Sequence, residues 1–319
     1  MSVVVAARDE AEGIAACIVA LRAQDYPNLE VVVVDDHSSD ETATTAEGAA
    51  EGDARFVLTR NDADPGKKYA LMRGIEASSG DILAFTDADC RPGPRWVSGL
   101  VALFRDDTVF VAGYSPFHPR IGLFQGVLAL ETASTAVIAS GLIGLGLPTM
   151  CAARNMAYRR TAYEESGGLA PIAHIASGDD TLMLQRLSKL GNVAYATSPD
   201  AHVPTAPPAT FRHWFRQKTR HLSTVGRYAP SQLLAAIVIR SMDLLVLVGV
   251  PAFLLGLVGP AILWALLVKV AADFLGLLVG LKPLRERGLL RFLPALEAVY
   301  SPLLLLFVLA GFTRRVQWK

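Results

Sequence analysis

The sequence predicts an α/β protein: a mixed, mainly parallel sheet with helices on both faces, followed by C-terminal transmembrane helices. Three observations carry that expectation. Short apolar runs rich in valine alternate with amphipathic stretches from Ser2 to Thr197, the pattern of a parallel sheet with right-handed crossovers. Two of those runs end in carboxylates, at Asp35-Asp36 and at Asp87-Ala88-Asp89. Apolar residues, 52% of the 319, gather in 121–147 and again after Gln232.

The elements follow in order. Ser2–Ala7 reads as the first strand and Ala11–Ala23 as a helix, with Ile14, Cys17, Ile18 and Leu21 on one face. Asp25-Tyr26-Pro27-Asn28 is a turn. Val31–Val34 is a central strand. Ser38-Ser39-Asp40-Glu41 supplies an N-cap and acidic first turn for a second helix. Arg55–Thr59 is a third strand, and Gly66-Lys67-Lys68 precedes a helix over Tyr69–Ala77. Ile82–Phe85 is a strand buried on both faces. Trp96–Phe104 is helical, Val109–Tyr114 and Val193–Thr197 are strands, and Ser177-Gly178-Asp179-Asp180 opens a helix running to Leu190.

The acidic pairs define a candidate site. Ligands of open α/β sheets bind outside the carboxyl ends of the strands. Asp87 and Asp89 stand at such an end, and period-two geometry points both side chains the same way. Two hard oxygen ligands suit Mg²⁺ or Mn²⁺ carrying a substrate phosphate; an acidic turn without metal is the competing reading of the triplet alone. With the expected strand order, the ends of the second and fourth strands face one crevice near the first. No G-x-G-x-x-G follows the first strand, so the dinucleotide fingerprint is absent.

Composition narrows the rest. Thirty basic and 30 acidic residues give zero net charge, without the basic excess of a nucleic-acid partner. Cys17, Cys90 and Cys151 form no C-x-x-C pair, which argues against zinc or a disulfide framework and fits a reducing compartment. No signal peptide is read ahead of the first strand.

The apolar segments imply a membrane. Residues 121–147 reach spanning length, but Gln125, Glu131, Thr132, Ser134 and Thr135 interrupt them. A helix lying at the membrane interface, or packed on the catalytic part, is expected there. Residues 210–228 read as a second interface helix, with Phe211, Trp214 and Phe215 interleaved with Arg212, Arg216 and Lys218. Leu233–Val258, Ala261–Leu281 and Leu293–Phe312 are three segments of spanning length. Lys282, Arg285, Arg287 and Arg291 place the loop after the second in the cytoplasm; the topology of the third stays open. Arg240 with Asp243, and Lys269 with Asp273, sit at spacings that allow pairing within a helix. The expected organisation is a catalytic domain over 1–230 and a transmembrane region of about three helices over 231–319.

The ordered set Val3–Glu10, Val34-Asp35-Asp36-His37-Ser38, Gly66-Lys67, Asp87-Ala88-Asp89, Gly178-Asp179-Asp180 and Gln217-Lys218-Thr219-Arg220 resembles glycosyltransferase family 2. That group includes the cellulose, chitin, hyaluronan and poly-N-acetylglucosamine synthases and many lipid-linked sugar transferases. The resemblance covers residue 1 to about residue 225. It implies a GT-A fold and an inverting, metal-dependent hexosyl transfer from a nucleotide-diphosphate sugar, a UDP sugar foremost, to a lipid or glycan acceptor. It places the protein in the inner (plasma) membrane, multi-pass, with its catalytic domain in the cytoplasm.

The same resemblance assigns roles. Ala6, with Glu10 nearby, contacts the nucleotide; Asp36 accepts the base N–H; Lys67 approaches the diphosphate. Asp89 binds the Mg²⁺ or Mn²⁺, while Asp87 contacts ribose or the metal through water. Asp180 is the catalytic base and Asp179 the first acid of its doublet. Gln217 and Arg220 match a Q-x-x-R-W motif whose Arg stabilises the leaving diphosphate. The final Trp of that motif is His221 here, which counts against processive polymer synthesis. A processive synthase and a non-catalytic sugar-nucleotide-binding subunit are the rival readings. A nucleotidyltransferase would need a Gly-rich loop after the first strand, and Ala6-Ala7-Arg8 is not one.

Overall fold

The computed structural model describes residues 1–175, 177–222, 230–300 and 303. The chain forms two compact units, the first built from Met1–Pro119 and Ile138–Ala206, the second from Arg120–Val137 and the chain from Pro207 onward.

The first unit holds a seven-stranded sheet. Its strands are β1 (Ser2–Ala7), β2 (Glu30–Asp35), β3 (Phe56–Arg60), β4 (Ile82–Phe85), β5 (Thr108–Gly113), β6 (Met156–Arg159) and β7 (Asn192–Ala196), in the order β3-β2-β1-β4-β6-β5-β7. β1 lies between β2 and β4, parallel to both, so the strand ends bearing Asp36 and Asp87 flank one position. Only β6 runs against the others; it pairs antiparallel with β4 and with β5. The sheet is thus mixed and mainly parallel, as expected. β6 has no counterpart in the sequence reading. Its four residues are buried on both faces at Met156, Ala157 and Tyr158, so no alternation marks them.

Helices cover both faces. Val3, Val5, Val31 and Val33 share a core with Ile14, Cys17, Ile18 and Leu21 of α1 (Ile14–Arg22) and with Ala46 and Ala50 of α2 (Thr42–Ala50). That core also takes in Trp96, Val97 and Leu100 of α4 (Trp96–Val101). Val4 and Val34, on the opposite face, meet α3 (Lys67–Glu76). A Cβ on Gly74 would stand 2.4 Å from Val4 Cγ1, so only glycine lets this helix approach so closely. Each fully buried valine contributes roughly 1.5 kcal/mol or more from leaving water. The helix α6 (Arg160–Glu165) follows β6 directly, and α7 (Thr181–Leu187) is shorter than the sequence suggests at both ends.

The second unit is helical. It contains most of α5 (Gly122–Gly144), then α8 (Phe211–Leu222), α9 (Pro230–Leu254) and α10 (Ala261–Gly280), and residues 293–300 are helical too. Lys218 of α8 lies 2.6 Å from Glu131 of α5, and Phe124 meets Trp214 edge to face. Arg120 makes a bidentate pair with Glu286. Lys269 of α10 gathers Asp243, Asp273 and Glu297. Two helices among the described residues are long and apolar enough to cross a membrane: α5, whose apolar stretch is half buried, and α10, whose stretch is hardly buried. The expected span over 293–312 lies mostly outside the described residues, as does the end of the interface segment 210–228.

Candidate active site

The carboxyl ends of β1, β2 and β4 and the N-termini of α3 and α7 carry eight of the ten sequence-selected residues, all in the first unit. The loops after β1 and β2 interlock. Asp9, at φ 52°, donates its N–H to Ser38 Oγ, and its carboxylate accepts the Ser39 N–H at 2.8 Å. Glu10 N–H donates to Thr42 Oγ1 at 2.8 Å. Ala6 is buried within β1, paired with Val34.

Asp36 is wholly buried, and both its oxygens are engaged. Asn61 Nδ2 donates to one at 2.5 Å and the Gly66 N–H to the other at 2.9 Å, with Arg8 3.9 Å away. Asp36 therefore ties the β3–α3 loop to the end of β2. Asn61, just past β3, is a partner of Asp36 that the sequence did not mark; an Asn leaving a strand is too common in turns to stand out.

Lys67 opens α3. Its ammonium lies 2.7 Å from Asp87 Oδ1 and 3.3 Å from Asp179 Oδ2. Burial alone would lower its pKa, but Asp179 and Asp87 outweigh that and raise it, so the lysine stays charged. The neighbouring Lys68 is almost fully buried and donates to the backbone carbonyls of Ile175 and Ser177, the latter at 2.9 Å.

Asp180 caps α7, accepting the Thr181 N–H at 2.5 Å. Gly178, at φ 86°, makes the turn that delivers the doublet, a conformation a side chain would strain. Burial, then the Asp179 charge, push the Asp180 carboxyl up to about 6, with Lys67 pulling the other way. A carboxylate titrating there is poised to take a proton near neutral pH.

Asp89 is exposed, Asp87 half-buried, and one ligand atom from each of Asp87, Asp89 and Cys90 lies within 4.8 Å of the others. The two carboxylates fit a hard divalent ion. The Cys90 thiol is raised well above its ordinary value by burial, then by Asp87 and Asp89, which holds it protonated and makes it a poor ligand. Cys17 and Cys151 are raised by burial as well.

Gln217 and Arg220 lie in the second unit on α8, three residues apart and both half-buried. The side chain of His221 lies outside the described residues.

Comparison with known proteins agrees with this architecture. The model of glycosyl transferase family 2 matches residues 2–167. The chain is similar to the glycosyltransferase AglE of Haloferax volcanii, 36% identical over 115 residues that cover 35% of this chain and 38% of that one. It is also similar to the beta-monoglucosyldiacylglycerol synthase of Trichormus variabilis, 37% identical over 113 residues, 34% of this chain and 24% of that one. These matches span less than two fifths of the relatives' own length. The mannosyltransferase PcManGT from Pyrobaculum calidifontis, solved with GDP-Man and Mn²⁺, superposes with a TM-score of 0.59 at 21% identity, covering 94% of this chain and 86% of that one. At that identity the likeness is one of fold.

Proposed function

The chain belongs to glycosyl transferase family 2, and from that premise we propose that it moves one hexosyl group, with inversion, from a nucleotide-diphosphate sugar to a lipid or glycan hydroxyl at a membrane surface. The observation that carries the reading is the Lys67 ammonium, which joins Asp87 of the Asp-Ala-Asp turn to the Asp179–Asp180 doublet. A donor-binding carboxylate and a base raised to about 6 thereby share one cleft.

The chemistry follows from these groups. Asp180 takes the proton of the acceptor hydroxyl as its oxygen bonds to the anomeric carbon. The bond from that carbon to the diphosphate breaks, and the diphosphate departs with the electron pair. One carboxylate suffices for inversion, because no covalent glycosyl-enzyme forms. Asp89 and Asp87 would hold Mg²⁺ or Mn²⁺, which supplies positive charge to the leaving group. Lys67 adds a point charge to the diphosphate. Gln217 and Arg220 serve the leaving group on the strength of their motif. A carboxylate offers about four acceptor positions, so Asp36 has capacity for the base N–H beyond Asn61 and Gly66. Glu10 and Ala6 border the nucleotide.

Membrane attachment is supported by the exposed apolar side chains of α10, among them Trp264, Leu267, Val268 and Leu275. The exposed basic residues Lys282, Arg285, Arg287 and Arg291 follow that helix and fit a cytoplasmic headgroup region. We assign residues 1–230 to catalysis and 231–319 to anchoring. His221 in place of Trp favours single transfer over polymer synthesis.

A thermal-shift screen of sugar nucleotides with Mn²⁺, followed by product analysis with lipid acceptors, tests the proposal, since a ligand that binds only the folded state raises its stability. A donor that shifts the melting point and is consumed with acceptor supports it. Binding with no turnover in the presence of acceptors would favour the non-catalytic reading, and a ladder of oligomers would favour processive synthesis.

A further inference from the structure

We propose that Lys68 is a positioning residue that holds the acceptor-side loop, and with it Asp180, against the donor side of the cleft; the inference rests on Asp180 being the base.

Three consecutive residues at the start of α3 reach three different parts of the site. Gly66 donates its N–H to Asp36, Lys67 pairs with Asp87 and Asp179, and Lys68 reaches the chain just ahead of the doublet. Its side chain is 4% exposed. Its ammonium donates to the carbonyl oxygens of Ile175 and Ser177, a little before Asp179 and Asp180.

Placing an ammonium inside a protein is costly unless its donors are satisfied. A buried lysine directed at two carbonyls of an irregular loop is therefore a specific device. Hydrogen bonds to a charged donor are about twice as strong as neutral ones, and these two join the loop to a helix that is itself packed on β1 and β2. Asp180 sits at the end of a short arm: Ser177 held by Lys68, Gly178 at φ 86°, then the doublet and α7. Lys67 to Asp179 is a further link across this gap among the described residues. Once Lys67 turns to the donor diphosphate, that link weakens, and Lys68 remains to keep the base in place. Because the carbonyls that Lys68 holds belong to the chain just ahead of the doublet, its removal is expected to act on the placement of the base and to leave donor affinity intact.

Lys68→Met keeps the apolar stem and removes the donors. In the full-length protein the expected result is a kcat lowered roughly 30-fold or more, the scale of a small misplacement of reacting groups. The donor KM and the donor-induced thermal shift with Mn²⁺ stay as in the wild type. Hydrogen exchange in residues 173–182 rises, while exchange in β1 and β2 does not. Lys68→Arg, which keeps a charged donor, recovers a large part of kcat. If Lys68→Met instead keeps wild-type kcat, or loses donor affinity and kcat together with a general rise in exchange, the positioning role is overturned. Should Lys68→Met not fold, Lys68→Gln and Lys68→Arg are compared by the same readouts, and equal kcat in both overturns the proposal. Failure of the functional reading is separate: the wild type itself would then turn over no sugar nucleotide.

Discussion

The Lys67 ammonium lies 3.3 Å from an Asp179 oxygen, bringing positive charge beside Asp180, whose carboxyl burial and the Asp179 charge push up. Lys67 opposes that rise. Lys67→Met removes the charge that holds the Asp180 carboxyl down, so the acid limb of its pH–rate profile moves to higher pH than in the wild type. A profile of kcat/KM against pH for both proteins, which reports the free enzyme, checks the direction.

Asp180→Asn is expected to lower kcat by about a thousandfold, within the range for loss of a general base. Donor binding should persist, read as an unchanged thermal shift with sugar nucleotide and Mn²⁺. In the wild type, kcat should fall as pH drops through about 6, where the carboxyl takes its proton.

The same substitution should stabilise the protein at high pH. The Asp180 carboxyl is raised from 3.8 to about 6 in the folded state, so ionising it costs the folded protein more than the unfolded chain. That cost is absent below the unfolded value, grows between the two, and is complete above the folded one. Converted at 1.36 kcal/mol per unit, it is at most about 3 kcal/mol. Asp180→Asn should therefore raise the melting temperature at about pH 8 and leave it unchanged near pH 3.5.

Asn155 offers a test of the scaffold. It is wholly buried, donating to the Tyr114 and Ala201 carbonyls and accepting from Trp96 Nε1 at 2.9 Å. Asn155→Ala takes the side-chain partner from the Ala201 carbonyl and the Trp96 indole N–H, while the Tyr114 carbonyl keeps the Val203 N–H; the cost is about 3 kcal/mol. Thermal melting should show the loss, with donor affinity per folded molecule preserved.

Much of this arrangement is legible in the chain. β1 and β4 match the sequence reading residue for residue, because each is an unbroken apolar run with a polar stop. Asp87, Asp89, Asp179 and Asp180 stand out because acidic residues close strands or open a helix. Lys68 does not, since two adjacent lysines read as a solvated loop and nothing local says that one of them is buried. Asn61 and β6 were hidden for a similar reason: their meaning lies in partners distant in sequence, Asp36 for one and β4 with β5 for the other.

The reversed direction of β6 has a further consequence. β5 ends and β6 begins at the same end of the strands, inside the sheet, and the two are joined there by the Gly113 N–H and the Asn155 carbonyl at 2.8 Å. The intervening chain leaves and re-enters through a single doorway, so its length is not constrained by strand register. That excursion can lengthen or shorten without disturbing the pairing of β5 with β6.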